Sequence, residues 1–297
     1  MSKVSDMIRT EFKKGDDIRD AGLTTPEDIV RYDDIAYGAD PKQQSLDVYR
    51  PKAEEGRILP VIVNVHGGGW VYGDKELYQF YCMNLAQRGF AVVNFTYRLA
   101  PEVKFPAALE DTNTVFAWVL DNAEKYGLDT EHIFAVGDSA GGHLLGLYSC
   151  ICTNPAYAAK YSFRPPEGFV PKAVALNCGV YEISMAPGPD GSLDLTQSLM
   201  ADVLPEKGTD AEMDLMCVVN HITPDFPPAY VMTANDDFLK PQAPLLAAKL
   251  LEQGVPFKMC CYGDQNKSLQ HVFHCNIKTE DARLCNDEEC EFFRKFL

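Results

Sequence analysis

The chain has 297 residues, 46% of them hydrophobic and 24% charged, enough for one large α/β domain or two small ones. Its formal net charge of −16 sets up a field that repels nucleic acid and anionic membrane surfaces. No stretch approaches the ~18 uninterrupted apolar residues of a membrane span. The ten cysteines, several inside apolar runs, read as reduced thiols, and the charged Met1 to Asp20 shows no secretory leader, so a soluble cytoplasmic protein without stable membrane insertion is expected.

In chain order, Met7, Ile8 and Phe12 have helical spacing in a mostly polar arm, and Thr25-Pro26-Glu27-Asp28 has the pattern of a cap and first helical turn. Residues 1–34 are read as an arm that folds over a site or decorates the domain. Asp34 to Tyr37 and Ser45 to Tyr49 read as a hairpin around Gly38-Ala39-Asp40-Pro41. Pro60 to Val65 is an apolar strand suited to burial on both faces, and it runs into His66-Gly67-Gly68-Gly69-Trp70. A helix from Lys75 to Arg88 stops at Gly89, and Phe90 to Tyr97 is the next strand. Phe105-Pro106 opens a long helix to about Lys125, with Leu109, Val115, Phe116, Val119 and Leu120 on one face.

The strand His132 to Val136 leads into Gly137-Asp138-Ser139-Ala140-Gly141-Gly142, and an apolar helix follows to about Cys152. A Pro-rich loop spans 154–171, and Ala173 to Cys178 is a strand. Residues 180–225 break the rhythm and read as a cap insertion, irregular at Met185 to Gly191 and with short helices over Leu193 to Leu204. Ala229 to Thr233 is a strand, Pro244 to Gln253 a helix, Phe257 to Tyr262 the last strand and Glu280 to Phe296 a closing amphipathic helix. No repeat or linker divides the chain, so 1–297 is read as one domain. Strands alternating with helices predict a mostly parallel central sheet with helices on both faces. Active residues of such sheets gather beyond the C-terminal strand ends, where Ser139, the glycine run 67–69, Asp236-Asp237 and His271 all fall.

Gly-x-Ser-x-Gly at a strand-to-helix corner is the pattern of a nucleophile elbow, in which strained backbone exposes a serine hydroxyl. Such a serine needs a base, a carboxylate to orient it, and donors for the oxyanion. Of the six histidines, His132, His143, His221 and His66 have structural readings, which leaves His271 and His274 in the loop after the last strand; His271 is preferred. Asp236 and Asp237 both follow the strand that should carry the acid, and Asp237 is preferred. The expected oxyanion donors are the backbone N–H groups of Gly68, Gly69 and Ala140. His271-x-x-His274 with Cys275, Cys285 and Cys290 does not have a standard zinc spacing, so no metal is assigned.

Three motifs in order resemble the hormone-sensitive-lipase-like family of α/β-hydrolases, whose members are mostly carboxylesterases. His66 to Trp70 resembles its HGGG motif, Tyr97-Arg98-Leu99-Ala100-Pro101-Glu102 with Phe105-Pro106-Ala107-Ala108 and Asp111 its YRLAPE-FPAA segment, and Gly137 to Gly142 its GDSAGG elbow. The acid segment departs from D-P-L-x-D, reading Asp237-Phe238-Leu239-Lys240-Pro241, and the histidine segment H-G-F reads His271-Val272-Phe273, with a stiffer valine for the glycine. The resemblance implies an α/β-hydrolase fold with a small cap from residues before about 35 and from 180–225. It further implies hydrolysis of carboxylic esters through an acyl-enzyme on Ser139, with His271 as base, Asp237 as its orienter and no cofactor; short acyl chains are expected because 180–225 is mixed and acidic in places where a long-chain lipase would carry a large apolar lid. Trp70, Tyr72, Phe238 and Leu239 are read as pocket residues. A deacetylase of acetylated sugars, an amidase or peptidase of the same fold, and a non-catalytic ligand-binding member stand as alternatives. The partner is a small-molecule ester, and oligomeric state is left open, a homo-oligomer included.

Overall fold

A computed structural model describes residues 2–185 and 195–297. The strands are β1 (Ile29–Ala36), β2 (Ser45–Pro51), β3 (Leu59–Val65), β4 (Ala91–Phe95), β5 (Leu128–Asp138), β6 (Val174–Asn177), β7 (Ala229–Ala234) and β8 (Phe257–Tyr262). They join in one sheet in the order β1-β2-β4-β3-β5-β6-β7-β8. The β1–β2 and β2–β4 pairs are antiparallel and the rest parallel, so β3 to β8 all end on the same edge. This is the α/β-hydrolase sheet.

The helices are α1 (Lys3–Asp20), α2 (Lys75–Ala86), α3 (Ala107–Asp121), α4 (Ala123–Tyr126), α5 (Ala140–Thr153), α6 (Pro155–Ala158), α7 (Leu195–Val203), α8 (Asp210–Leu215), α9 (Val218–His221), α10 (Gln242–Gln253) and α11 (Glu280–Arg294). The period-2 alternation of the strands feeds two cores. Val61, Val63 and Val65 of β3 pack with Val115, Phe116 and Leu144 of α3 and α5 on one face. Ile62 of the same strand packs with Tyr81 of α2 and Phe293 of α11 on the other. Each such side chain contributes about 1.5–3 kcal/mol of burial, and the one polar residue of β3, the buried Asn64, donates to Asn94 Oδ1 of β4 at 3.0 Å. Among the described residues no helix is long and apolar enough to cross a membrane.

Four local readings change. Thr25 to Asp28 does not open a helix: Ile29 N donates to Pro26 O at 3.2 Å to close a turn. β1 then starts at Ile29, paired with Pro51, because the edge pairing buries Ile29 where a helical turn would expose it. The long helix from Phe105 breaks at Asn122, whose amide bonds back to Trp118 O at 2.9 Å, giving α3 and α4. The loop 154–171 contains the short α6, capped by Asn154 with Pro155 at its first position, a signal present in the sequence. Residues 180–225 hold α7, α8 and α9; 186–194, most of the stretch read as irregular, lie outside the described residues.

The N-terminal arm is a long helix. Arg9 of α1 donates to Val71 O at 2.7 Å, to Ala100 O at 3.0 Å and to both Glu102 oxygens at 2.9 and 2.6 Å, tying α1 to the loops after β3 and β4. Ser2 N and Ser5 Oγ bond Asp202 of α7 at 3.0 and 2.5 Å, so the arm and the 180–225 segment meet.

Candidate active site

β5 ends at Asp138 and α5 begins at Ala140, leaving Ser139 alone at the corner with φ 52° and ψ −120°. That conformation costs a non-glycine residue about 1–3 kcal/mol and persists only where the surroundings impose it. Ser139 N donates to Asn177 O at 2.9 Å, and a Cβ on Gly141 would sit 2.0 Å from Val65 O. The glycine therefore lets the first turn of α5 press against the end of β3, and the tight approach thrusts Ser139 outward.

β7 positions the acid. Asp237 is 5% exposed, and its Oδ1 accepts from His271 Nδ1 at 2.7 Å and from Leu239 N at 2.9 Å, while Oδ2 accepts from Thr233 Oγ1 at 3.0 Å. Burial pushes this carboxyl up, but the His271 hydrogen bond and charge outweigh it and hold it below the usual aspartate range. Asp236 is exposed, accepts from Ser268 Oγ at 2.9 Å and pairs by backbone with Gln270. Of the two candidates, the structure brings Asp237 to His271. His271 and Ser139 line one cavity; among the described residues the Ser139 hydroxyl makes no hydrogen bond, and such bonds often tighten only with substrate bound.

The loop after β3 holds Gly68 at φ 113°, where a Cβ would lie 2.0 Å from Tyr72 O. Gly68 O accepts from Val71 N and Tyr72 N at 3.2 and 3.0 Å, curling the loop. The N–H groups of Gly68, Gly69 and Ala140 make no hydrogen bond among the described residues, and Ala140 opens a helix whose N-terminus favours negative charge. Gly67 N donates to Tyr78 OH at 3.0 Å, and Tyr78 OH donates to Asp138 Oδ2 at 2.8 Å. One phenol thus joins the glycine loop to the residue before Ser139, a contact that sequence inspection misses because nothing in α2 marks which residue points at the elbow. Burial pushes the Asp138 carboxyl up to about 6 in spite of that donor.

The other histidines hold structural positions. His143 Nε2 donates to Met216 O at 2.8 Å and Nδ1 accepts from Trp70 Nε1 at 3.2 Å. His66 stacks on Tyr97 at 3.9 Å, with Nδ1 2.7 Å from Gly67 O. Burial holds both near 4 and His274 near 3, so all three are neutral at pH 7. His132 pairs with Asp129 at 2.7 Å, and His221 stacks on Tyr157 at 3.9 Å. The histidine–cysteine set considered for a metal is not assembled: His271 lies with Asp237 and Cys178, and His274 and Cys275 with Asp138.

The YRLAPE segment is scaffold. Tyr97 OH donates to His66 O at 2.9 Å, and Arg98 binds the buried Asp111 through its backbone N–H at 2.8 Å and its guanidinium at 2.8–3.0 Å. Two cavities, of about 850 and 500 Å³, meet at Ser139. Tyr72 lines the larger, Trp70 and Leu239 the smaller, and Phe238 both. Phe12 of α1 also lines both, and Asp16 of α1 lines the larger. Only its helical spacing marked α1.

A family model described as BD-FAE matches residues 46–250. The versiconal hemiacetal acetate esterase of Dothistroma septosporum is 30% identical over 76% of this chain and 70% of its own length. Esterase LipC of Mycobacterium tuberculosis is 36% identical over 45% of this chain and 32% of its own length. The hormone-sensitive lipase of Mus musculus is 36% identical over 41% of this chain, which spans 15% of that larger protein. The crystal structure of an inhibited esterase B from Lactobacillus rhamnosis superposes with a TM-score of 0.89 at 26% identity, covering 99% of this chain and 97% of that one. By these matches the chain belongs to the hormone-sensitive-lipase-like family of α/β-hydrolase carboxylesterases.

Proposed function

We propose that the protein hydrolyses short-chain carboxylic esters by a Ser139–His271–Asp237 triad with an oxyanion hole made by the N–H groups of Gly68, Gly69 and Ala140. His271 takes the hydroxyl proton as Ser139 Oγ bonds to the acyl carbon. The three N–H groups hold the oxyanion, and Asp237 fixes the imidazole with Nδ1 protonated and Nε2 free, then steadies the imidazolium. Collapse breaks the bond to the alcohol oxygen, which leaves with the proton from His271; water then repeats the sequence in reverse to free the acid and Ser139. The observation that carries the reading is the 2.7 Å Asp237–His271 bond opening onto the cavity shared with Ser139, beside N–H groups that no atom of the described residues takes.

Helix α1 and residues 180–225 serve as the cap, a role supported by Phe12 and Leu199 lining the chamber over Ser139. The ten free cysteines support a reducing compartment, the cytoplasm. Hydrolysis of nitrophenyl esters from acetyl to decanoyl, with Ser139→Ala alongside, tests the proposal. Activity that falls with chain length and is lost in the variant supports it. A folded protein inert on every ester overturns it and turns attention to anilides and to ligand binding.

A further inference from the structure

The two chambers differ in chemistry, and the proposed reaction tells which end of an ester each receives. His271 lines only the larger chamber, while Gly69 and Ala140 line only the smaller. The alcohol oxygen must lie where His271 can return its proton, so the alcohol occupies the larger chamber and the acyl chain the smaller. The acyl side is walled mainly by Ile8, Trp70, Leu199 and Leu239, with Glu182 and Gln242 the larger polar side chains on it. The alcohol side is walled by the polar Glu11, Asp236, Gln270 and Asn276 together with Tyr72 and Phe273, with Phe12 and Phe238 at the junction.

The charges facing the alcohol chamber come from three elements. Glu11, Asp16 and Arg19 lie on α1, Asp236 follows β7, and the buried Asp138 ends β5. Arg19 is the one lysine or arginine among the described lining residues, and its guanidinium is committed to Asp16 at 2.7 Å, Asp20 at 2.7–2.8 Å and Leu77 O at 2.7 Å. Lys14 meets Glu11 at 2.6 Å, with both side chains about 60% exposed, a pairing worth little. Asp16 is engaged on both oxygens, by Arg19 and by Tyr72 OH at 2.9 Å, so the open acceptors of the wall are Glu11, Asp236 and the amides of Gln270 and Asn276, and the described lining holds no spare lysine or arginine. It suits a ligand that brings hydroxyl donors, and it repels an anionic alcohol.

We infer, building on the esterase reading, that the preferred substrates join a short apolar acyl chain to an uncharged, hydroxyl-rich alcohol of monosaccharide size. The hydroxyls donate to the carboxylates and amides of the larger chamber while Phe12 and Phe238 cover the sugar's apolar face. The specificity sits in the leaving group, so it is invisible to nitrophenyl esters.

The test compares the wild-type protein on butanoyl esters of one acyl chain: 6-O-butanoyl-glucose, ethyl butanoate, the butanoyl ester of glycolate, and butanoylcholine. The expected kcat/KM is at least tenfold higher for the glucose ester than for ethyl butanoate, mostly through KM, and lowest for the glycolate ester. Glu11→Lys should raise the glycolate-to-ethyl ratio severalfold. Equal turnover of the glucose and ethyl esters overturns the inference while leaving the esterase reading intact. A choline ester that outruns the glucose ester also overturns it, since charge rather than hydroxyls is then read. No turnover of p-nitrophenyl butanoate overturns both readings.

Discussion

Tyr78→Phe isolates the phenol that couples the glycine loop to the elbow. The ring stays packed, edge-on to Tyr81 at 6.5 Å, but Gly67 N–H and Asp138 Oδ2 lose their common partner. A hydrogen bond to a charged group is worth about 1.5–3 kcal/mol and a neutral one about 0.5–1.5 kcal/mol, so the variant should lose roughly 2–4 kcal/mol of stability. The catalytic effect comes from the loop. Each oxyanion donor contributes about 2.7–4 kcal/mol to the transition state. A loop freed at Gly67 that forfeits half of one donor loses about 1.5–2 kcal/mol, a ten- to thirtyfold fall in kcat with KM nearly unchanged. The assay is nitrophenyl butanoate hydrolysis, normalised to sites titrated with a phosphonate so that unfolded enzyme is not counted, with urea denaturation alongside. A kcat per titrated site within twofold of wild type, with stability reduced, would show that the phenol braces the fold and not the oxyanion loop. A raised KM at constant kcat would assign Tyr78 to the wall of the larger cavity instead.

Three further perturbations discriminate among parts of the same account. Asp237→Asn should lower kcat about 10³–10⁴-fold, because the amide favours the wrong imidazole tautomer, whereas Asp236→Asn keeps its Ser268 contact and should stay within severalfold; the reverse ranking in kcat/KM moves the acid by one position. Gly141→Ala places a methyl 2.0 Å from Val65 O and 2.5 Å from His66 O, both backbone, and should cost about 3 kcal/mol or more in urea unfolding; a loss under about 1 kcal/mol would mean the elbow has room. Glu289, fully buried and held by Asn177 and Tyr81, has its carboxyl pushed up to about 7 by burial from a usual value of 4.5. The native state therefore holds its proton where the unfolded chain releases it, and stability falls as pH rises through that window, by about 3 kcal/mol in all. Glu289→Gln, uncharged at every pH, should remove most of that decline between pH 5 and 8; an unchanged pH profile of the denaturation midpoint would place the Glu289 proton loss elsewhere.

What was legible in the sequence was what periodicity and tight turns encode. The runs at 60–65 and 90–97 read as strands buried on both faces because no hydrophilic alternation interrupts them, and β3 and β4 are so buried. The corner at Ser139 was legible because no residue larger than glycine fits at 141. The preference for Asp237 over Asp236 had only loop position behind it, since the two differ through the turn after β7. There Asp237 N donates to Ala234 O at 3.3 Å and Asp236 N to Leu269 O at 3.1 Å, which rotates the first side chain under His271 and the second outward. Tyr78 was not legible, nor was Thr233 behind Asp237, because each reaches the site through helix–sheet packing that no local pattern records.

The valine after His271 joins the two levels. Val272 sits at φ 51° and ψ 31°, a left-handed conformation that glycine adopts freely and that costs a side-chain-bearing residue about 1–2 kcal/mol. The family's H-G-F pattern makes sense as a requirement for that turn, and this chain meets the requirement with a β-branched residue. The turn survives because Phe273 N bonds Gln270 O at 3.3 Å and Cys275 N bonds Val272 O at 3.1 Å, closing the backbone on both sides, while the Val272 side chain packs on the core shared by α2 and α11. Strain is thus held at the two places where the proposed mechanism needs fixed geometry, the nucleophile at φ 52° and the residue beside its base at φ 51°. In the proposed triad the two backbone turns thus fix where the side chains of Ser139 and His271 start, and the Asp237 carboxylate, at 2.7 Å from His271 Nδ1, fixes the orientation of the ring.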